Sequence, residues 1–284
     1  MTLYYESSDG QIIDFMNDGI YAQEPETLNN NEWQYTTISG INGVNKIKRF
    51  YKDAKTYSLT LDIMLEDQEE FNQVIERMHA VFDNDVRHIT PGRIWWNGWY
   101  KEAYIISSVH SDFDEIFESI TKKLTILSLC PQWIKESTFR YMPSRDEAGS
   151  LDYGMEGIYS GFDYDGYDYG IAEIVEIVTV TAIDSANFKL LLYGPVSDPT
   201  VTIGNHRYSL STELAAGEYA VVDSRTKKIR KYDQYGREDN IFHTRDRDSY
   251  IFEKLPAGDL PVLRAKNLSF DITVYDERGE PEWI

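Results

Sequence analysis

The chain has 284 residues, 42% hydrophobic and 14% aromatic, with a mean hydropathy of -0.48, which is apolar material enough for one large globular domain or two ordinary ones. A formal net charge of -20, from 48 acids against 28 Lys and Arg, and a pI near 4.6 argue against nucleic acid as a partner, since phosphate recognition needs clustered basic side chains. No run approaches the roughly 18 apolar residues of a membrane span, and "MTLYYESSDG" has neither the basic start nor the apolar stretch of a secretory signal, so a cytoplasmic product with no membrane partner is expected.

In chain order, short runs with alternating apolar positions dominate: "QIIDF", "EWQYTTI", "TYSLTLDIML", "EAYIISSVH" and "LTILSL" in the first half, then "EIVEIVTVTAI", "FKLLLYG", "EYAVVDS" and "LSFDITVYD" in the second. These predict a mainly β protein. The exception is "DQEEFNQVIERMHAVFD", where Phe71, Val74, Ile75, Met78, Val81 and Phe82 recur at helical spacing behind Asp67, with Glu70 three residues on in the manner of a capping box. One amphipathic helix from about Asp67 to Asp83, covering one sheet, is expected, with His79 on its solvent flank. Between Ser144 and Ile174 periodicity stops, and Asp146, Glu147, Asp152, Glu156, Asp163, Asp165, Asp168 and Glu173 face a single base, Arg145. That composition describes a linker. The expected organisation is therefore an N-terminal domain over 1–143, an acidic Tyr/Gly/Asp-rich connector over 144–171 and a second all-β domain over 172–284. Turn signals such as "GPVSDP", "IGNH", "LAAGEY" and "DQYGRED" give the second domain the rhythm of a β-sandwich.

Signatures of catalysis are missing: the chain contains no GxGxxG, P-loop, GxSxG, HExxH or CxxC. The five histidines (His79, His88, His110, His206, His243) include no pair at metal-ligand spacing. Abundant carboxylates could hide a glycosidase pair, but 48 acids bring some together by chance, and a solvated surface is the simpler reading. Asp163, Asp165 and Asp168 in "GFDYDGYDYG" offer oxygen ligands near a glycine, yet an EF-type loop places its glycine and its bidentate acid elsewhere. No metal, cofactor or enzymatic activity is expected. Cys130, the only cysteine, follows an apolar run and reads as a buried, inert thiol. "RIWWNGWYKEAYI" sets Trp95, Trp96, Trp99, Tyr100 and Tyr104 around an Asn97-Gly98 turn, which suits hairpin packing, a subunit interface or a ligand-stacking platform.

Taken in order, "DGQIIDF", "SGINGVNKIKRFYKDAKTYSLTLDIML", the single helix, "PGRIWWNGWYKEAYIISSV" and "ITKKLTILSLCPQWIKE" resemble the distal tail proteins of long-tailed (siphovirus-type) bacteriophages, especially those infecting Gram-positive bacteria. "GPVSDPTVTIGNHRYSL", "LAAGEYAVVDSRTKKIRKYDQYGREDNIF", "FEKLPAGDLPV" and the ending "ERGEPEW" extend the resemblance over nearly the whole chain. It implies an N-terminal, β-sandwich-like ring domain with an extended hairpin arm and a C-terminal galectin-like or carbohydrate-module-like sandwich. It further implies a homohexameric ring in the virion tail, assembled in the host bacterial cytoplasm, whose partners are a tail tube protein, a tail-associated hub or lysin protein and a receptor-binding protein. A head-to-tail ring needs two different faces on each protomer, so an arm from Lys46 to Leu65 is expected to cross to a neighbour. Lys46, Lys48, Arg49, Tyr51, Trp95, Trp96 and Trp99 are the candidate ring contacts. The bases Lys46, Lys48, Arg49, Lys52 and Lys55 would meet acid on a neighbour or form a solvated strand face. The alternative is a carbohydrate-binding module contacting host wall polysaccharide through the second sandwich, with Asn205, His206 and Arg207 as sugar contacts.

Overall fold

A computed structural model describes residues 2–17, 19–40, 43–65, 67–114, 119–143 and 176–282. The acidic stretch expected as a connector, with "GFDYDGYDYG" and its three aspartates, lies outside the described residues. The chain is mainly β and divides into two compact units, Met1–Lys135 with Glu277–Ile284, and Glu136–Asp276.

In the first unit, β1 (Leu3–Glu6) and β2 (Ile12–Asp14) form an antiparallel pair, and β3 (Ile20–Gln23) follows. After a short 3-10 turn (Pro25–Asn29) come β4 (Gln34–Ser39) and β5 (Asn45–Tyr51), which among the described residues pair only with each other. Next are β6 (Lys55–Met64), the helix α1 (Gln68–His88), β7 (Gly92–Trp96), β8 (Trp99–Asp114), β9 (Ser119–Ser128) and the first residues of β10 (Trp133–Tyr141), whose remainder belongs to the second unit. The sixteen-residue β8 organises the unit. Its first half pairs β7, which continues into β1 and β2, whereas its second half pairs β9, which continues into β6 and β3. Strict alternation along these strands sends Leu59, Leu61, Ile63, Leu124 and Ile126 into one core with Leu3, Tyr5, Ile94 and Trp96.

The helix begins where its cap predicts. The Asp67 side chain accepts from the backbone N–H of Glu69 and Glu70, satisfying two of the donors that a helix start leaves open. Met78, Val81 and Phe82 are buried, Phe71, Val74 and Ile75 pack partly against the same core, and Phe82 meets Tyr5 edge-on at 5.5 Å. His79 is exposed, as expected, with its Nε2 3.1 Å from the Lys122 ammonium; burial, then that positive charge, lowers its pKa. The helix runs five residues past Asp83 and stops at Ile89, which sits at φ 54° and is 82% exposed. A β-branched residue is strained in that left-handed region and gains nothing there from burial. Ile89→Asn is therefore expected to raise stability by about 1 kcal/mol, measured by urea unfolding; an unchanged or lower midpoint would count against strain at this cap.

Two expectations are corrected here. Cys130 is exposed, its Sγ 3.6 Å from Gln132 Oε1. "LTILSLC" is an alternating strand end and not a continuous core run: Leu124, Ile126 and Ser128 point inward, β9 stops at Ser128, and Leu129 is already 63% exposed. The arm also has other limits. Residues 55–64 are strand β6, paired with β9 along its length and with β3 over 60–63, with Tyr57, Leu59, Leu61 and Ile63 buried. The segment that leaves the core is the β4–β5 ribbon.

The second unit holds β11 (Ile177–Tyr193), β12 (Val196–Ser197), β13 (Thr200–Ile203), β14 (His206–Ser209), β15 (Glu213–Leu214), β16 (Tyr219–Asp223), β17 (Lys228–Tyr232), β18 (Glu238–Asn240), β19 (Leu255–Arg264) and most of β20 (Ser269–Arg278). Here β11 plays the part of β8. Its first half pairs β19 and, through it, β13 and β14, and its second half lies between β16 and β20. The register shifts between Val180 and Ser185, where the run from Ile177 and "FKLLLYG" join into one strand. Phe188, Leu190, Leu192, Ala220, Val222, Phe270 and Ile272 face the core of this unit from one sheet, and Val178, Val201, Ile203 and Leu255 from the other.

Candidate functional site

The β4–β5 ribbon is the most unusual surface of the first unit. Its pairs are Gln34↔Tyr51, Tyr35↔Phe50 and Thr36↔Arg49, then, after a bulge that leaves Lys48 as the extra residue, Thr37↔Ile47, Ile38↔Lys46 and Ser39↔Asn45. Alternation therefore gives the ribbon two unlike faces. One carries Tyr35, Thr37, Ile47 and Phe50; the other carries Gln34, Thr36, Ile38, Lys46, Arg49 and Tyr51. On the first, Tyr35 (62%), Ile47 (56%) and Phe50 (58%) are exposed, with the two rings edge-on at 6.5 Å. On the second, the Arg49 guanidinium lies 5.1 Å from the Tyr51 ring. From Trp33 to Lys52 the sequence holds four basic residues and no acid, in a chain of net charge -20. A two-stranded ribbon is marginal alone in water, and large apolar side chains exposed on it mark a surface built to be covered.

Its root is held by lysines. Lys55 Nζ donates to the Asn30 carbonyl at 3.2 Å and lies 3.7 Å from Glu32, and the Lys52 ammonium sits 5.1 Å from the Trp33 ring. Lys101, 2% exposed, donates to the Leu28 carbonyl at 2.7 Å, with its ammonium 4.1 Å from the Tyr57 ring and 4.6 Å from that of Trp133. Burial above all, then the positive charges of Lys52 and Lys55, pulls its pKa down from 10.5 to about 7. Sequence inspection misses this residue, because "WYKEAY" looks like the solvent side of a strand.

The aromatic hairpin separates its tryptophans. Asn97 (φ 47°) and Gly98 (φ 82°) make the two-residue turn that the NG pair predicts, with Trp96 opposite Trp99 and Trp95 opposite Tyr100. Trp96 and Trp99 are 2% and 1% exposed and belong to the core, where Trp96 meets Trp133 edge-on at 6.3 Å. They offer a neighbour almost no surface. Trp95 is half-buried on the outer face, stacked on Tyr4 at 5.8 Å, its indole N–H donating to Glu6 Oε2 at 2.7 Å. Of the seven candidate ring contacts, Lys46, Lys48, Arg49, Tyr51 and Trp95 thus have surface to offer.

The three candidate sugar contacts do not converge. His206 and Arg207 are successive on β14 and point to opposite sides. The His206 ring packs edge-on against Tyr208 at 4.8 Å, and its Nε2 lies 3.0 Å from the Tyr250 carbonyl and 3.2 Å from Ser249 Oγ, so it fastens the 249–250 turn. Asn205 and His206 do border an open depression of about 620 Å³ with Lys227, Tyr250 and Glu253, but Arg207 lies outside it.

No protein-family model matches the sequence, and no curated protein does. The architecture, two β units with one helix among the described residues, is nevertheless that of solved phage tail-tip proteins. The crystal structure of SPP1 Dit (gp 19.1), described as a paradigm of the hub adsorption apparatus in phages infecting Gram-positive bacteria, superposes with a TM-score of 0.59 at 11% identity, over 97% of this chain and 98% of that one. A chain of the phage P2 baseplate in its activated conformation with Ca gives 0.57 at 13% identity over 96% and 98%, and the corresponding baseplate with Sr gives 0.57 at 14% over 96% and 97%. At these identities the likeness is one of fold.

Proposed function

We propose that this chain is a structural, non-enzymatic component of a phage tail tip: a distal tail protein of the siphovirus type whose first unit closes into a homohexameric ring in the virion, assembled in the host cytoplasm. The observation that carries this reading is the β4–β5 ribbon, an amphipathic arm paired to no other strand among the described residues, on a fold shared end to end with Dit and baseplate chains. A closed head-to-tail ring needs a projecting element and a receiving face on every protomer, and the ribbon supplies the first. In this reading the ring joins the tail tube protein to a tail-associated hub or lysin protein, and the second unit, galectin-like in this proposal, docks a receptor-binding protein. The structural role is favoured over sugar binding because His206 is committed to a turn and Arg207 faces elsewhere. Negative-stain images of the purified full chain test the proposal. Six-fold rings are expected; monodisperse monomers at high concentration would reject it.

A further inference from the structure

If the ribbon is the projecting element, the receiving face on the next copy remains to be found, and the outer face of the β2–β1–β7–β8 sheet has the matching chemistry. Register places Asp14, Tyr4, Trp95 and Tyr100 in one row across the four strands and Ile12, Glu6, Arg93 and Glu102 in the row beside it. These rows lie on the side opposite Ile13, Tyr5 and Ile94, which point into the core. Three carboxylates and one guanidinium thus surround an aromatic strip. The strip is rigid: Tyr4 stacks on Trp95, Trp95 meets Tyr100 at 5.1 Å, and the Arg93 guanidinium covers Tyr100 at 4.4 Å. Tyr100 is 1% exposed and already covered, whereas Tyr4 and Trp95 are only partly buried and Ile12 beside them is 48% exposed, so the Tyr4–Trp95 end of the strip has surface to give. Four strands span about 15 Å, and a two-stranded ribbon whose strands hold six and seven residues is about 20 Å long, so the sizes match.

We infer that the ribbon face bearing Ile38, Lys46, Arg49 and Tyr51 lies on the Asp14–Tyr4–Trp95 and Ile12–Glu6–Glu102 rows of a second copy of this chain. The inference rests on the ring reading and adds its acceptor. Charge selects both occupant and side: the ribbon carries bases and no acid, the receiving face carries Glu6, Asp14 and Glu102 against Arg93, and the opposite ribbon face of Tyr35, Ile47 and Phe50 has no charge to offer them. Lys46 and Arg49 would reach carboxylates, and Arg49 and Ile38 would pack over the Trp95 and Tyr4 rings. The contact is heterologous, since ribbon and receiving face are different surfaces of one protomer, and this is the kind that propagates into a closed ring.

Disulfide trapping tests the contact. With the exposed Cys130 replaced by serine, a full chain bearing Ile38→Cys is mixed with one bearing Ile12→Cys, both positions being about half exposed and outside the core, and the mixture is mildly oxidised at a concentration where light scattering reports assembly. A mixed disulfide dimer is expected in most molecules, and one chain carrying both changes should give a ladder of linked protomers. Ile47→Cys, on the other ribbon face, should link to Ile12→Cys at least tenfold less. Assembly with no Ile38–Ile12 link, or with the Ile47 variant linking as well, overturns this acceptor and leaves the ring reading standing. Absence of assembly at any concentration removes both.

Discussion

Replacing residues 34–51 with a Gly-Ser turn of about four residues is expected to leave the monomer folded and to abolish assembly. On the ribbon face inferred to meet the neighbour, Ile38 is 54% exposed in the single chain and stands beside Lys46, Arg49 and Tyr51. Covering Ile38 and the apolar parts of Arg49 and Tyr51 contributes roughly 2 kcal/mol, so losing them weakens subunit association by at least ~10-fold before any ionic contribution is counted. The fold should not notice. None of the residues of β4 or β5 belongs to the core cluster of the unit, and Gln34 and Tyr51 are a cross-strand pair, so a short turn bridges the gap. The melting midpoint is expected to move by less than about 2 °C, while light scattering falls from an oligomer to a monomer. Persistence of rings in the shortened chain would show that the ribbon decorates the assembly without making it. A large fall in the midpoint would show instead that the ribbon stabilises its own protomer.

What was legible in the sequence was local. Asp67 followed by an apolar stripe announces a helix because both the cap and the 3.6-residue period lie within two turns, and Asn97-Gly98 announces a hairpin because only a two-residue turn with positive φ joins such strands. What was not legible depends on which strand pairs with which. β6 has the same alternating pattern as an arm, and only its pairing with β9 and β3 holds it in the sheet. Trp96 and Trp99 face the core whereas Trp95 faces out, and the NG turn fixes their register but not which side is covered. Cys130 follows apolar letters, yet β9 ends two residues before it. The candidate interface suffered from the same limit. Its basic residues were visible as a cluster, but the bulge at Lys48, which sorts Lys46 and Arg49 onto one face and Ile47 and Phe50 onto the other, is a property of the pairing.

Lys101 provides the largest expected effect on stability. Its side chain is buried against Tyr57 and Trp133 and donates to one carbonyl, and its pKa stands near 7 in the folded chain against 10.5 when exposed. A lysine whose folded pKa is depressed binds fewer protons in the native state than in the unfolded one between those two values. Stability therefore rises with pH across that window. From pH 7 to pH 10 the gain from this one group is roughly 3–4 kcal/mol. Tyr57, whose pKa burial raises to about 12, acts in the opposite sense: its contribution is complete below pH 10 and is lost above it, so the window for Lys101 closes there. Lys101→Met should remove most of the rise, leaving the part that comes from Lys122 and Lys52, whose pKa values burial also lowers. At pH 7 the variant is spared the cost of a buried cation, about 4 kcal/mol, and leaves the Leu28 carbonyl without its donor, a loss of about 1–3 kcal/mol, so the variant should be the more stable of the two there. At pH 10 that cost has fallen to about 1 kcal/mol and the neutral amine still donates to the carbonyl, so the wild type should be the more stable by up to about 2 kcal/mol. Urea unfolding of both proteins at pH 7, 8.5 and 10 measures the difference. Parallel pH profiles would mean that Lys101 keeps its ordinary proton affinity and is hydrated in the folded chain. A steep rise in wild type that flattens in the variant would show that the buried amine at the root of the ribbon loses its proton well below the ordinary lysine range.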